Sequence, residues 1–210
     1  MNKVTTYDYS SIVEHYEKCL EQHGDTHKGV DWPNVVDAKK RYSVMLDVIK
    51  DRSKDITLLD FGCGASHLYE FIKENNLAGI EYSGLDISEK FVDLSKGKFP
   101  DVKYYCTDVI KDSSDLPEFD YIVMNGVFTE KISMSNEEML NYLKDVISIL
   151  FDKCKTGMAF NVMSKNVDWE REDLFHLDKE LLYDFLKDIS EDYQIREDYG
   201  LYEYTVYVYR

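Results

Sequence analysis

The sequence predicts an α/β fold with a mostly parallel sheet, and two observations carry this prediction. From residue 56 onward, short apolar runs of strand composition alternate with amphipathic runs of helical spacing, which is typical of parallel β-α-β units. The first of these strand-like runs ends in a glycine turn that leads into a helical pattern. A chain of 210 residues with 44% hydrophobic residues can form one such domain with a full core.

Apolar or β-branched runs predict five strands, near residues 56–61, 82–87, 102–106, 119–124 and 157–163. The helices between them are expected to begin just past the glycine turn, at a cap on Ser88, at Ser135 and at Asp178. Ser135 and Glu138 have the spacing of a capping box, which favours a helix start. Two β-rich segments flank Gly200 near the end of the chain. They predict an antiparallel hairpin at one side of the sheet.

The glycine turn is the strongest functional signal in the sequence. Asp60 ends the first predicted strand, and Gly62 and Gly64 follow it, so that the backbone can turn sharply and approach a ligand without a Cβ. Asp86 ends the next strand about twenty residues later. A helix that begins just past the turn offers free backbone amides to a ligand. Together these features predict a nucleoside-binding site.

A dinucleotide-binding turn has a similar pattern but needs a third glycine for close packing of helix and strand. This chain has the bulky His67 at that position. A nicotinamide-dependent oxidoreductase is therefore kept only as an alternative. A second alternative is a non-catalytic protein that keeps a nucleoside-binding fold for contacts with a partner.

At these residues the chain resembles the class I S-adenosylmethionine (SAM)-dependent methyltransferases. The first motif of that family, D/E-x-G-x-G-x-G, is matched by Asp60–Ser66, with serine in place of the last glycine. Asp86 matches the acidic residue of the second motif, and the segments 105–109 and 118–126 match two later motifs. The resemblance implies a Rossmann-like, doubly wound sheet of seven strands, mostly parallel, with an antiparallel last strand. It also implies a SAM-binding core over residues 51–210.

The resemblance further implies how the cofactor is held. Asp86 is expected to accept the ribose hydroxyls, and Asp108 the adenine amino group. Asp60 either supports the turn or binds the amino group of the cofactor. The other expected contacts are with the adenine ring, the turn backbone and the methionyl portion. The full cofactor set is Trp32, Asp60, Gly62, Cys63, Gly64, Asp86, Ile87, Asp108, Val109, Asn125 and Gly126.

Residues 1–50 are expected to form an N-terminal helical extension that covers the cofactor and shapes the acceptor pocket, as in many members of that family. Two helices, near residues 11–19 and 34–50, flank a polar loop that contains Trp32. We expect this loop to be a lid, with Trp32 near the sulfonium or adenosine, because aromatic rings attract cations by about 0.5–2 kcal/mol. The alternative, that Trp32 only anchors the helix to the core, is equally compatible with the sequence.

The acceptor is less well determined than the donor. The segment Asn125–Phe128 lacks the N-P-P-Y pattern of methyltransferases that act on amino groups of adenine or glutamine. We therefore expect a small-molecule acceptor with a methylated oxygen, on a metabolite or sugar. A hydroxyl acceptor usually needs a general base, and the candidates are His23, His27, His67 and Glu130.

Composition narrows the partners. The net charge is −16 and Lys39–Arg41 is the only basic cluster, which argues against bulk nucleic acid as substrate. No membrane-spanning run and no signal peptide are evident, so a cytoplasmic location is expected. The four cysteines form no C-x-x-C pair and the histidines lack metal-ligand spacing. We therefore expect reduced thiols and no metal.

Overall fold

A computed structural model describes residues 7–210. The first six residues of the predicted N-terminal extension, residues 1–50, lie outside the described residues. The described elements are α1 (Ser10–His23), a 3-10 turn (His27–Val30), α2 (Val35–Leu46), β1 (Ile56–Phe61), α3 (His67–Glu74), β2 (Ile80–Asp86), α4 (Glu89–Lys98), β3 (Lys103–Cys106), β4 (Phe119–Phe128), α5 (Asn136–Phe151), β5 (Cys154–Ser164), β6 (His176–Leu177), α6 (Glu180–Ile189), β7 (Tyr193–Arg196) and β8 (Glu203–Tyr209).

The strands form one sheet in the order β3-β2-β1-β4-β5-β8-β7, and the two-residue β6 pairs with β5. Strands β1 to β5 run parallel, whereas β8 is antiparallel to both β5 and β7. The predicted Rossmann-like sheet with an antiparallel last strand is therefore confirmed. The strand order reverses between β1 and β4, and ligands of open α/β sheets bind at the carboxyl ends of the strands at such a point.

Alternate residues of each strand face opposite sides of the sheet, and the core accordingly has two parts. Leu59 and Ile122 belong to the apolar cluster that includes α5 and α6. Leu58 and Val123 belong to the other cluster, which includes α2 and α3. Both faces of the central strands are therefore covered by helices, as a parallel sheet requires.

The N-terminal extension shares this core. Met45 and Leu46 of α2 are fully buried in the same cluster as Leu58 of β1. Ile12 of α1 packs in the other cluster. The helix predicted near residues 34–50 ends earlier, at Leu46.

The two predicted helix caps have different outcomes. At α5 the capping box is confirmed, since the Ser135 hydroxyl accepts from the Glu138 N–H and the Glu138 carboxylate accepts from the Ser135 N–H. At α4 the predicted side-chain cap is wrong. The Ser88 hydroxyl instead donates to Oε1 of Glu17 on α1 at 2.6 Å, because α1 lies over this end of the sheet. Among residues 7–210, no helix is both long enough and apolar enough to cross a bilayer.

Candidate functional site at the carboxyl ends of the strands

The glycine turn is fastened to the neighbouring strand by its backbone. The N–H groups of Gly62 and Cys63 both donate to the carbonyl of Leu85, at 2.8 and 3.0 Å. Gly62 has a positive φ of 72°, and a Cβ there would lie 2.6 Å from Cγ2 of Val127. A side chain at this position is therefore excluded by conformation and by space.

Ser66 explains how the chain departs from the family motif. It stands where the motif has its last glycine and adopts a left-handed conformation, with a φ of 59°. Such a conformation costs a non-glycine residue about 1–2 kcal/mol. The buried Ser66 hydroxyl donates to Oγ of Ser95 at 2.9 Å and lies 3.0 Å from the Tyr104 hydroxyl. These contacts hold the serine in the glycine conformation.

Asp86 links the glycine turn to the start of α4. One carboxylate oxygen accepts from the Gly64 N–H and the other from the Ser88 N–H, each at 2.9 Å. Burial raises the pKa of Asp86, and the backbone N–H groups of Ser88, Gly64 and Ile87 oppose that rise. A carboxylate has about four lone-pair sites, so these backbone contacts leave capacity for a ligand.

Asp60 is a buried carboxylate at the end of β1. The Tyr82 hydroxyl donates to its Oδ2 at 2.8 Å. Burial, with a smaller contribution from the charge of Asp86, raises the pKa of Asp60 to about 7. An ionised Asp60 is therefore costly until a cation comes near it.

The ends of β2 and β3 provide one wall of the site. Ile87 is 39% exposed and lies at the cavity together with Val109. The Asp108 carboxylate accepts from the Tyr9 hydroxyl and from the Ile110 N–H, and it pairs with Lys111. The residue expected to bind the adenine amino group is thus shared with the N-terminal segment.

The end of β4 is built differently, from side chains. Gly126 has a positive φ of 83°, and a Cβ there would lie 2.8 Å from the Trp32 ring. The Arg41 guanidinium covers Trp32, with Cζ 4.4 Å from the ring centroid. Trp32 therefore lies between the β4 end and a buried cation. Oδ1 of the neighbouring Asn125 is buried and has no hydrogen-bond partner.

A buried polar network supports this end of β4. The Gly126 N–H donates to Oδ1 of Asn161 at 2.8 Å, and Nδ2 of Asn161 donates to Glu203 at 3.1 Å. Glu203 also accepts from Nε of Arg41 at 2.8 Å and forms an ion pair with it. The network connects the β4 end, the hairpin strand β8 and helix α2.

These elements line a cavity of about 160 Å³. All eleven residues of the expected cofactor set line it. The cavity is also lined by residues that the sequence did not single out, among them five from α1, its N-cap and α5: Tyr9, Ile12, Val13, Tyr16 and Tyr142. The sequence shows the helical apolar spacing of α1, but it does not show which part of the fold this helix packs against.

Polar contacts hold the N-terminal segment over the site. Glu17 accepts from the Ser88 hydroxyl and pairs with Lys90 at 2.8 Å. Asp25 pairs with Lys98 at 2.8 Å and lies 2.8 Å from Nε2 of His67. Together with the Tyr9–Asp108 contact, these interactions reach the ends of β2 and β3 and the starts of α3 and α4.

The four candidate bases are scattered. His23 and His27 lie outside the cavity, in α1 and the 3-10 turn. His67 lines the cavity and contacts Asp25. Glu130 does not line the cavity, but its charge acts on Tyr16, which does. Burial, followed by the charge of Asp31, raises the pKa of Glu130 to about 7, and its Oε2 is buried without a partner.

One cluster was missed in the sequence. His15, Cys19 and Asp31 bring three ligand-type atoms within 4.8 Å of one another. The histidine and cysteine are one helical turn apart in α1, and this i, i+4 spacing is a signal that the sequence contains. The position of Asp31 depends on the 3-10 turn and cannot be read from spacing.

Comparison with known proteins finds similarity to methyltransferases. A family model described as a methyltransferase domain matches residues 59–151, which include the glycine turn and all the strand ends up to β4. The protein named "Putative methyltransferase Rv1506c" from Mycobacterium tuberculosis is 25% identical over 166 residues, which cover 76% of this chain and 96% of that protein. These similarities support the class I SAM-dependent methyltransferase family that the sequence motifs indicate.

Solved structures agree with this methyltransferase fold. The magnesium protoporphyrin IX methyltransferase of Synechocystis PCC 6803 with bound SAM has a TM-score of 0.67 at 17% identity, and each chain is covered completely. The plantazolicin methyltransferase BpumL, in complex with a pentazolic desmethylPZN analog and S-adenosylhomocysteine, has a TM-score of 0.64 at 12% identity. That match covers 96% of this chain and 97% of BpumL. At these identities the similarity concerns the fold.

Proposed function

We propose that this methyltransferase transfers the methyl group of SAM to an oxygen of a small-molecule acceptor, such as a metabolite or a sugar. The observation that carries the proposal is the cavity itself. It begins at the glycine turn and Asp86, which suit a nucleoside, and it continues to Asn125 and Trp32 beneath α1. An enclosed site of this kind excludes water and aligns the acceptor with the methyl group.

The proposed placement of SAM follows the strand ends. The ribose lies at Asp86, and the adenine lies between Ile87 and Val109 with its amino group toward Asp108. The charged amino group of the methionyl portion lies toward Asp60. Burial raises the pKa of that carboxyl group, and a nearby cation would stabilise its ionised form. The methyl group then points to the space near Asn125, where a buried oxygen lacks a partner. SAM and S-adenosylhomocysteine also occur in the similar structures named above.

Residues 7–34 are the proposed lid. Trp32 and Tyr16 would form the wall that faces the acceptor, since both line the cavity next to Gly126, whose carbonyl accepts from the Tyr16 hydroxyl at 3.3 Å. The polar contacts of this segment with α4 and Asp108 would hold it closed over the donor. The enclosure favours an acceptor with small, free hydroxyl groups over a folded macromolecule.

Among the four candidate bases, Glu130 is the one that we propose for a hydroxyl acceptor. It lies two residues after the end of β4, it is buried, and its Oε2 has no hydrogen-bond partner among the described residues. A general base must reach the proton that it removes, either directly or through one water. His67 lies instead beside Asp25 at the glycine-turn side of the cavity.

The test is a transfer assay with a SAM carrying a labelled methyl group and a panel of sugars, phenols and amines. We expect label on a hydroxyl compound. Transfer only to amines would contradict the oxygen acceptor but leave a methyltransferase. Binding of SAM without transfer to any member of an extended panel would favour the non-catalytic alternative. Binding of NAD in place of SAM would favour the nicotinamide-dependent oxidoreductase.

A further inference from the structure

Three side chains with metal-ligand chemistry meet where α1 faces the loop after the 3-10 turn. Nε2 of His15 lies 2.7 Å from Oδ2 of Asp31 and 3.8 Å from Sγ of Cys19. All three ligand atoms lie within 4.8 Å of one another. The His15 and Asp31 side chains are 31% and 37% exposed, so an ion can reach them from solvent.

These distances are close to those of a tetrahedral zinc site. Zinc binds imidazole nitrogen and carboxylate oxygen at about 2.0–2.2 Å and thiolate sulfur at about 2.3 Å, which places neighbouring ligand atoms about 3.3–3.7 Å apart. The observed separation of nitrogen and sulfur, 3.8 Å, is close to this range. The His15–Asp31 separation is that of a hydrogen bond, and a small rotation of the half-exposed Asp31 side chain would open it to the required distance.

A fourth residue supplies an independent observation. Glu130 is 7% exposed, and its Oε2 is buried with no hydrogen-bond partner. The charges of both Asp31 and His15 act on the Glu130 carboxylate. A buried carboxylate oxygen without a partner is costly. A cation held by the neighbouring cluster would offset this cost through its charge.

The nearby positive groups do not remove this need for a cation. Arg171, whose charge also acts on Glu130, is held by Asp173 in an ion pair. His15 is already shared with Asp31 and Cys19. The acidic and thiol groups at this point therefore outnumber the free cations among the described residues.

We propose that His15, Cys19 and Asp31 bind a divalent transition metal of the zinc type, with one coordination position left for water. The mixture of nitrogen, sulfur and oxygen suits zinc, whereas magnesium and calcium take oxygen ligands. The sequence-based expectation of no metal used only the spacing of histidines and C-x-x-C pairs, and this cluster has neither.

The bound metal would join two segments that cover the cavity. Tyr16 follows His15 on α1, and Trp32 follows Asp31 in the loop, and both aromatic residues line the cavity. A metal at this point fixes α1 to the loop by coordinate bonds. The proposal concerns the stability of this cover and does not depend on the identity of the acceptor.

The test starts from the whole protein freed of metal by a chelator and then titrated with Co²⁺, which replaces zinc and is coloured. We expect one Co²⁺ per chain with a thiolate-to-cobalt charge-transfer band. The band should be lost in Cys19→Ser and retained in Cys106→Ser, an exposed cysteine elsewhere. Affinity should fall at least tenfold in His15→Gln but remain unchanged in His23→Gln, a control histidine in the last turn of the same helix.

Zinc provides the second readout. At a free concentration of about 100 times its Kd, Zn²⁺ should raise the Tm of the wild-type protein by about 5–10 °C, and it should not raise the Tm of Cys19→Ser. The absence of a charge-transfer band in the wild-type protein would overturn the proposal without reference to any variant. A band that survives Cys19→Ser, or a Tm increase that is equal in both proteins, would also overturn it.

Discussion

The two halves of the site are built in different ways. The donor half consists of the glycine turn, residues 60–66, and Asp86. Backbone geometry determines it: the turn has positive φ angles, its N–H groups donate to Leu85 and Asp86, and a Cβ at Gly62 has no room. The acceptor half consists of residues 125–130 and the covering residues 15–32. It relies on side chains, and Asn125 and Glu130 each keep a buried oxygen without a partner.

This difference in construction matches the two ligands: the backbone can recognise the donor SAM, whereas side chains must recognise the acceptor. In the described chain, none of the buried side-chain polar atoms without a partner belongs to the donor half. A preorganised backbone suits a ligand shared by a whole family. Side chains with unused hydrogen-bonding capacity suit a ligand that differs from one enzyme to the next. We therefore expect changes in the donor half to affect SAM binding, and changes in the acceptor half to affect transfer.

The largest effect is expected in the acceptor half. Glu130→Gln keeps the shape of the side chain but removes the proposed base, so kcat should fall by about 10²–10⁴-fold with little change in SAM affinity. Steady-state kinetics with the acceptor found in the panel measure this change. Glu137→Gln, at an exposed position in the first turn of α5, is the matched control. A kcat near that of the wild type would remove Glu130 from the mechanism.

Asp86→Ala tests the donor half. Hydrogen bonds to a charged group contribute about 1.5–3 kcal/mol each, so the loss of two ribose contacts should weaken SAM binding at least about 100-fold. Calorimetric titration measures it, with Asp93→Ala on the exposed side of α4 as control. Asp86→Asn keeps the side-chain volume and should also bind SAM more weakly. Unchanged affinity in both Asp86 variants would end its ribose role.

Two glycine substitutions distinguish a glycine that the turn conformation requires from one that an ordinary helix tolerates. Gly62→Ala should lower the free energy of unfolding by about 2 kcal/mol or more, because the turn needs a positive φ and Val127 occupies the space of the Cβ. Gly97→Ala, in α4 with nothing within 4 Å of the added Cβ, should raise it by about 0.5–1 kcal/mol. Urea unfolding measures both. Equal effects would show that the turn is not conformationally constrained.

Asp60 gives the donor half a pH dependence. Its pKa is raised to about 7 in the free protein, and pairing with the cofactor's ammonium group requires the ionised form. SAM affinity should therefore rise as the pH increases from about 6 to 7, by up to about tenfold per unit, and level off above the pKa. Titrations in matched buffers measure this slope, which Asp60→Asn should flatten. A 5′-methylthioadenosine control lacks the amino group, and a slope with this compound would favour a role in the turn.

The smallest effect is expected at the N-terminal cover. Tyr9→Phe removes the hydroxyl that donates to Asp108 and should lower the free energy of unfolding by about 1–2 kcal/mol, with a small change in SAM affinity. Tyr202→Phe, at an exposed residue before β8, should change stability by less than about 0.5 kcal/mol. Thermal unfolding compares the two. A large loss of SAM affinity in Tyr9→Phe would mean that the cover also determines donor binding.

Much of the fold was predictable because its signals are local. The β1 bounds and the capping box at Ser135 follow from apolar runs and short spacings, and both are present. The carboxyl ends of parallel strands lie at one edge of a sheet, so Asp60, Asp86 and Asp108 had to come close together. β6, with only two residues, is too short for any periodicity to reveal.

The features that escaped prediction depend on contacts between distant segments. The Ser88 hydroxyl binds Glu17 across 71 residues, and Arg41 binds Glu203 across 162. Local patterns carry no information about such pairs. The same holds for Asp31, which joins His15 only because the 3-10 turn brings it back to α1. These long-range contacts are concentrated around the acceptor half and its cover, where the sequence was least informative.

The most direct test of the division between the two halves is calorimetric titration of the wild-type protein with SAM, S-adenosylhomocysteine and NAD. We expect saturable binding of both sulfur compounds, at one site per chain, and no binding of NAD. Absence of heat with SAM and S-adenosylhomocysteine up to millimolar concentration, or saturable binding of NAD, would contradict the account of the donor half.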